Sequence, residues 1–536
     1  MNLIPRINGP IAQTTEICTF TLPLTYTGPC AAADQFPMEL SEAPVLTFET
    51  ADLPAEGYAI DVAPGKIVIK AAGEAGKYYG LQTLFQLLQE GENTLPAGSL
   101  SDAPRYGYRG FMWDVSRHFF TADEVKKVID QLARLKMNTF HWHLSDDQGF
   151  RIESKKFPKL NEIGAVRNDE RGSGFYTQEE IKEVVAYAEA RHIDVIPEID
   201  LPGHTTAIIA AYPEMSCSGE PVEVGVGGGI YSRILCGGDE KVYEFLYELL
   251  DEVLPLFKSE YFHLGGDEAP KAEWKKCPKC QARMAQLGLA NEEELQAYFT
   301  AQLVDFLKSR GKKAIVWNEA LASGKLEPTA VAQYWKEWGP SYSYPEVAKG
   351  RKFIMSNNEE FYFDYTHALV SLKGTYVYEP AMQEFTDIPA ESVWGLESPL
   401  WCERVPNFET ACKQIFPRMC ALAENCWTKP ELKNYEEFVE RLDAQQSYWE
   451  KGGVAFSSVA EATICGEEGL KAAVAMLQAM MGNVGAAKKD KPALPPEVMA
   501  QVMEGFRKFI TGMMKYTYTP EEMAKFGEMM MGGMKQ

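Results

Sequence analysis

Tyr261-Phe262-His263-Leu264-Gly265-Gly266-Asp267-Glu268 reads as a short apolar strand that runs into two glycines and then presents two adjacent carboxylates. Glycines leave room for a ligand close to the backbone. Two neighbouring carboxyls cannot both ionise cheaply, so one is expected to keep its proton towards neutral pH. A neutral acid beside an anion is the equipment for breaking an acetal bond. Read alone, an Asp-Glu pair is more often a helix N-cap with a solvated acid. The rest of the chain decides between these two readings.

Outward from this stretch the same unit recurs. From Tyr106, short apolar runs fall at 108–115, 138–144, 193–199, 260–264, 313–317, 331–335, 352–356 and 392–397. Amphipathic patterns of helical period at 121–136, 177–191, 239–258, 291–310 and 407–426 separate most of them, as successive βα units require. Polar residues follow each run: Ser116-Arg117-His118, Asp146-Asp147, Asp200, Asp267-Glu268, Asn318-Glu319, Glu337, Asn357-Asn358 and Glu403. Polar groups gathered after the C-terminal strand ends are the mark of a (β/α)8 TIM barrel enzyme. An open doubly wound sheet is the alternative, opposed because no Gly-rich phosphate loop opens any helix.

The barrel is expected over 104–455, with a helix at 436–450 as its cap. Residues 1–103 alternate in period two (Tyr58-Ala59-Ile60-Asp61-Val62, then Lys66-Ile67-Val68-Ile69-Lys70) before the helical run 78–88. They read as an N-terminal α+β accessory domain closed by a polar segment, 91–104. Residues 456–536 read as a helical C-terminal extension, with Lys488-Lys489-Asp490-Lys491-Pro492 as a linker. From 460 onward the extension holds 12 of the 21 methionines. Such stripes usually serve adaptable packing or a partner helix.

The 536 residues carry a net charge of −23, which opposes nucleic acid or an anionic membrane surface as partner. A neutral small molecule is the expected substrate. No apolar run approaches the ~18 residues needed to span a bilayer. MNLIPRINGPIAQTTEI lacks a leader pattern, so a cytoplasmic protein is expected. Oligomeric state is open, a homodimer being the form considered. Eleven cysteines along a long chain suit reduced thiols. Cys277-Pro278-Lys279-Cys280 would need two more ligands to hold a metal, and no second such pair exists, so no metal or cofactor is expected. Cys217 and Cys236 flank a Gly-rich loop, and the sequence does not say whether they meet.

The motifs YRGFMWDVSRHF, HWHLSDDQGFR, PEIDLPGHT, HLGGDE, WNE, YW, YFD, LWCE and FPRMCALAE, in this order, resemble glycoside hydrolase family 20 β-N-acetylhexosaminidases over roughly 50–450. The resemblance implies release of terminal β-linked N-acetylglucosamine or N-acetylgalactosamine from an oligosaccharide or glycan, with retention. The substrate's own 2-acetamido oxygen then attacks the anomeric carbon through an oxazolinium intermediate, and no protein nucleophile is needed. Glu268 fits the general acid and base, its pKa expected to be pushed up by the Asp267 anion. Asp267 fits the group holding the acetamido N–H. By resemblance, Tyr362 hydrogen-bonds the acetamido oxygen, and Trp317, Trp335 and Trp401 wall the sugar. Arg109, Asp364 and Glu403 resemble contacts to sugar hydroxyls, while Asp146, Asp200 and His204 resemble residues supporting the acid. His143 and His263 read as strand-end histidines without a catalytic role. Tyr376 or Tyr378 is the candidate platform for the neighbouring sugar.

Two rivals are weaker. A metal-dependent amidohydrolase would use His141-Trp142-His143, His204 and His263, yet that His-x-His lies on the second strand and the chain has only seven histidines. A non-catalytic sugar-binding module would be expected to lack the acid, which is present here.

Overall fold

Eight short parallel strands close on themselves in chain order: β1 (Tyr108–Asp114), β2 (Thr139–His143), β3 (Asp194–Glu198), β4 (Tyr261–His263), β5 (Lys313–Trp317), β6 (Val331–Tyr334), β7 (Phe353–Met355) and β8 (Val393–Leu400), with β8 returning to β1. The structure is a computed structural model. It describes residues 2–28, 30, 32–167, 172–337, 339–486, 505 and 507–533, with the side chains of 480–486 and 531–533 outside that description. Each strand coincides with an apolar run of the sequence, because a parallel strand covered on both faces must be apolar throughout. Every residue of β1 and β2 is buried.

The helices between them start where local chemistry dictates. Thr121 with Glu124 and Thr177 with Glu180 close reciprocal capping boxes at Ala122–Arg134 and Gln178–Glu189. The helix expected over 407–426 is two helices, Phe408–Ile415 and Arg418–Trp427. Pro417 lies at the break, where it lacks the N–H that would continue the ladder.

Inside the barrel, Tyr108, Ile196, Ile315, Val331 and Ile354 form an apolar plug. Glu397 is buried among polar partners, held by His141 at 2.9 Å, Gln333 at 2.6 Å and the Tyr108 hydroxyl. The interior is thus packed, and the open chemistry is confined to the C-terminal strand ends.

The N-terminal domain is a seven-stranded sheet covered by the helix Glu74–Glu90. The segment expected as a polar closure is instead strand Thr94–Asp102, paired antiparallel with both Ile11–Thr19 and Tyr58–Ala63. Its Gly and Pro weaken the local strand signal, but two neighbours supply its hydrogen bonds, and Leu95, Ala97, Leu100 and Asp102 are buried.

This domain seals the barrel floor, and the seal corrects one expectation. Arg109 lies at the N-terminal end of β1, far from the carboxylates at the C-terminal ends. Its fully buried guanidinium grips Glu56 of the N-terminal domain at 2.7 and 2.9 Å and the Tyr79 hydroxyl at 3.1 Å. It is therefore an interdomain clamp and cannot touch a sugar.

The C-terminal extension packs on the loop after β7. Phe509 meets Tyr365 edge-on at 6.1 Å, Lys515 pairs with Glu360 at 2.9 Å, and the Met476 sulfur accepts from the Thr366 amide at 3.0 Å. The linker expected at 488–492 lies outside the described residues. Among the described residues no helix is long and apolar enough to cross a membrane.

Arg109→Met should destabilise the protein by about 3–5 kcal/mol, because it leaves Glu56 half-buried and unpaired. Denaturant unfolding measures this, and the folded fraction should keep the wild-type KM. A raised KM with unchanged stability would return Arg109 to the sugar site.

Candidate active site

The turn after β4 is built around a buried acid. Gly265 and Gly266 have φ values of 65° and 112°, the left-handed region that favours glycine. A Cβ on Gly265 would stand 1.7 Å from Asp200 Oδ1, and the Gly266 amide donates to that same oxygen at 2.9 Å. Gly265 thus makes room for the Asp200 carboxylate, where the sequence reading reserved the glycines for a ligand. No helix starts here; the next begins at Pro278, so the N-cap reading falls.

The turn buries Asp267 and leaves the Glu268 side chain 33% exposed at the mouth. The Glu268 amide donates to Glu319 Oε2 at 2.9 Å. Burial, then the charges of Glu268 and Glu198, push Asp267 up to about 6 against the pull of His204. Burial beside Asp267 and Glu268 pushes Glu319 up to about 8, so at neutral pH it adds little charge. Asp200 is likewise raised, by burial and then by Asp267.

His204, at φ 52°, points its Nδ1 at Asp146 (3.1 Å) and Asp147 (3.3 Å). Its Nε2 lies 3.6 Å from Glu268 Oε2 and 3.9 Å from Asp267 Oδ2. Against its burial, Asp146 holds His204 well above the usual imidazole range, so it carries a proton at neutral pH. Asp146 itself receives Arg117 at 2.7 Å and His143 at 2.9 Å. Although burial opposes ionisation, Arg117 and then His204 hold it well below the usual carboxylate range.

Arg117 is the mouth arginine that the sequence reading misplaced. It follows the C-terminal end of β1, also meets Asp114 at 3.3 Å, and lies 5.0 Å from the Trp401 ring centre. Its position after the strand end, rather than at the strand start, was the available signal. Glu198 was missed as well. At the end of β3 it accepts from the buried Trp317 indole at 2.8 Å and holds His143.

Above the buried Trp317, Trp401 lies 5.8 Å from it, Tyr362 lies 6.1 Å from Trp401, and Trp335 runs nearly parallel to Tyr362 at 6.0 Å. Burial and the Asp267 charge raise the Tyr362 phenol well above its ordinary value, so it remains a donor. Asp364, 3.5 Å from Arg404, is pushed up to about 7 by burial, with the Glu403 charge adding to it. Gly228 of the loop after β3 comes within van der Waals reach of the Glu403 side chain. Tyr376 and Tyr378 are buried, hydrogen-bonded to Glu424 and Asn357, so neither offers a face to a second sugar.

Arg117 Nε, Asp267 Oδ1, Trp335 Nε1 and Asp364 Oδ1 are buried without a hydrogen-bond partner among the described residues. Buried polar atoms are seldom left unmatched. Donors, acceptors and aromatic faces around one space suit a polyhydroxylated ring carrying an amide.

The family model for the glycosyl hydrolase family 20 catalytic domain matches residues 106–430, and that for domain 2 of the same family matches 23–103. The chain belongs to glycosyl hydrolase family 20. Among relatives of this family 20 hydrolase, a β-hexosaminidase of Porphyromonas gingivalis is 39% identical over 412 residues, which is 72% of this chain and 53% of that protein. The chain therefore spans about half the length of that relative. The β-N-acetylhexosaminidase of Bacteroides fragilis superposes with a TM-score of 0.77 at 31% identity, covering 85% of this chain and 96% of that one. An exo-β-N-acetylglucosaminidase from Vibrio harveyi, crystallised with N-acetylglucosamine, gives 0.76 at 31% identity over 85% and 78%.

Arg117→Lys keeps the charge and loses the planar fork. It should raise KM roughly 10- to 100-fold, as loss of charged hydrogen bonds worth about 1.5–3 kcal/mol requires. Steady-state kinetics at unchanged melting temperature reads this; an unaltered KM would leave Arg117 a purely structural partner of Asp146.

Proposed function

We propose that this barrel mouth releases a terminal β-linked N-acetylhexosamine, N-acetylglucosamine or N-acetylgalactosamine, with retention, and that the residues divide the work as follows. Glu268, half-open to the mouth, protonates the leaving oxygen and then activates water from the same position. Buried Asp267 holds the acetamido N–H and offsets positive charge as the oxazolinium ring forms. The Tyr362 phenol donates to the acetamido oxygen from the opposite side. Gripping both ends of the amide keeps the internal nucleophile near attack geometry, an effect worth up to roughly 7–11 kcal/mol at the extreme. Trp335 and Trp401 line the ring, with buried Trp317 packed behind Trp401, and together they exclude water that would otherwise capture the intermediate. Arg117, Asp364 and Glu403 take the hydroxyls, while His204 and Asp146 act as positioning residues behind Glu268.

The observation that carries this reading is the separation of the two carboxyls. One is buried and the other is partly open to solvent, although they are adjacent in sequence. A pair of equivalent carboxylates flanking the bond would not be so partitioned.

Glu268→Gln should lower turnover about 10²–10⁴-fold on substrates with poor leaving groups and far less on activated aryl glycosides, since only the former need protonation. Equal losses on both would count against the acid assignment. Asp267→Asn should combine a large rate loss with weaker inhibition by thiazoline mimics of the intermediate; undiminished inhibition would remove Asp267 from the acetamido group.

The ionised form of Asp267 is the working one. With its pKa near 6, kcat/KM should fall about tenfold per pH unit below that point and level off above it. A pH profile on an activated aryl substrate reads this limb, and a profile flat down to the ordinary carboxylate range would remove Asp267 from the rate-determining ionisations.

A further inference from the structure

Four cysteines from three separate segments converge beside the active-site loops. Cys217 lies in the loop after β3, and Cys236 closes that loop before the helix Glu240–Val253. Cys277 is the N-cap of the helix Pro278–Leu287, and Cys280 lies in its first turn. The sulfurs of Cys217 and Cys280 are 3.7 Å apart, Cys236 and Cys280 3.7 Å, and Cys236 and Cys277 3.8 Å. All four lie within 4.8 Å of one another. A disulfide would bring a pair to about 2.0 Å. Four thiolates on a tetrahedral zinc, each about 2.3 Å from the metal, stand about 3.8 Å apart.

We propose that Cys217, Cys236, Cys277 and Cys280 form a structural tetrathiolate site for a zinc ion. The sequence offered one Cys-x-x-Cys pair and counted two ligands short; the chain supplies them from either end of the Gly-rich loop. Cys236, Cys277 and Cys280 are buried and Cys217 is half-buried, as in a closed site with no open position for substrate. Two sulfurs sit at a helix N-terminus, the Gly238 amide hydrogen-bonds Cys236, and Lys279 lies near the cluster. The two ligand-bearing segments are pressed together backbone to backbone, since a Cβ on Gly238 would meet the Lys279 carbonyl carbon at 2.2 Å. On binding, each thiol releases its proton to solvent and Zn²⁺ keeps its oxidation state.

The ion would staple the loop after β3 to the loop after β4. The first carries His204 and, further on, Gly228, which lies against the Glu403 side chain; the second carries Asp267 and Glu268. The metal would therefore hold two walls of the sugar site in register without touching the sugar.

The full chain, purified from zinc-supplemented medium under reducing conditions and freed of loose metal, should contain about one zinc per chain by mass spectrometry of the element. A mercurial that modifies thiols should release that zinc to a chromogenic chelator. Cys236→Ser and Cys280→Ser should lose the metal, while Cys420→Ser, at a buried thiol elsewhere, should retain it. Where a variant fails to fold, protein grown on cobalt should show the ligand-field bands of a tetrahedral tetrathiolate. Reduced wild-type protein that takes up no zinc or cobalt would overturn the proposal, as would intact-mass evidence of disulfides among these four cysteines. These readouts are independent of glycosidase activity, so they stand or fall apart from the catalytic reading.

Discussion

Asp146 is the hinge of the active site. It is buried and ionised between Arg117 from the loop after β1, His143 at the end of β2 and His204 from the loop after β3. Taking a carboxylate out of water is costly and is offset only when every partner is in place. The three loops are therefore obliged to adopt one arrangement. Glu198 repeats the device one layer down, tying His143 to the Trp317 indole and so joining β2, β3 and β5.

This frame decides how several acids coexist at the mouth. Asp200, Asp267, Glu268 and Glu319 crowd one turn, and they cannot all be anions. Burial keeps Asp200 and Glu319 towards their neutral forms, while the His204 imidazolium faces both Asp267 and Glu268. The charge left over falls where a cationic ring intermediate would need it. Because Asp200 fills the space beside Gly265 and accepts from the Gly266 amide, the two glycines serve the protein's own acid.

The remaining parts act from outside the mouth. Arg109 locks the N-terminal sheet to the barrel floor, which closes the end where no chemistry occurs. The C-terminal extension presses on residues 359–374, the loop that presents Tyr362 and Asp364. The four-cysteine cluster sits at the root of the two loops on the opposite side.

Much of this was legible in the residues themselves. The eight strands, the capping boxes and the place of the carboxylates after β4 are written locally, because apolar period and N-cap chemistry act within a few residues. Three features were not. Residues 94–102 became a strand because neighbours distant in sequence supply hydrogen bonds that their own propensity does not demand. Arg109 and Arg117 both flank β1, and only closure of the barrel assigns one to the floor and the other to the mouth. Cys217 and Cys236 join Cys277 and Cys280 only after two long loops fold back on each other. The chain by itself therefore determined the barrel and the class of chemistry, through local periodicity and residue type. Tertiary structure decided which acids stay neutral, which arginine lies at the barrel mouth and which thiols meet, since burial and contact between remote segments exist only once the chain has closed.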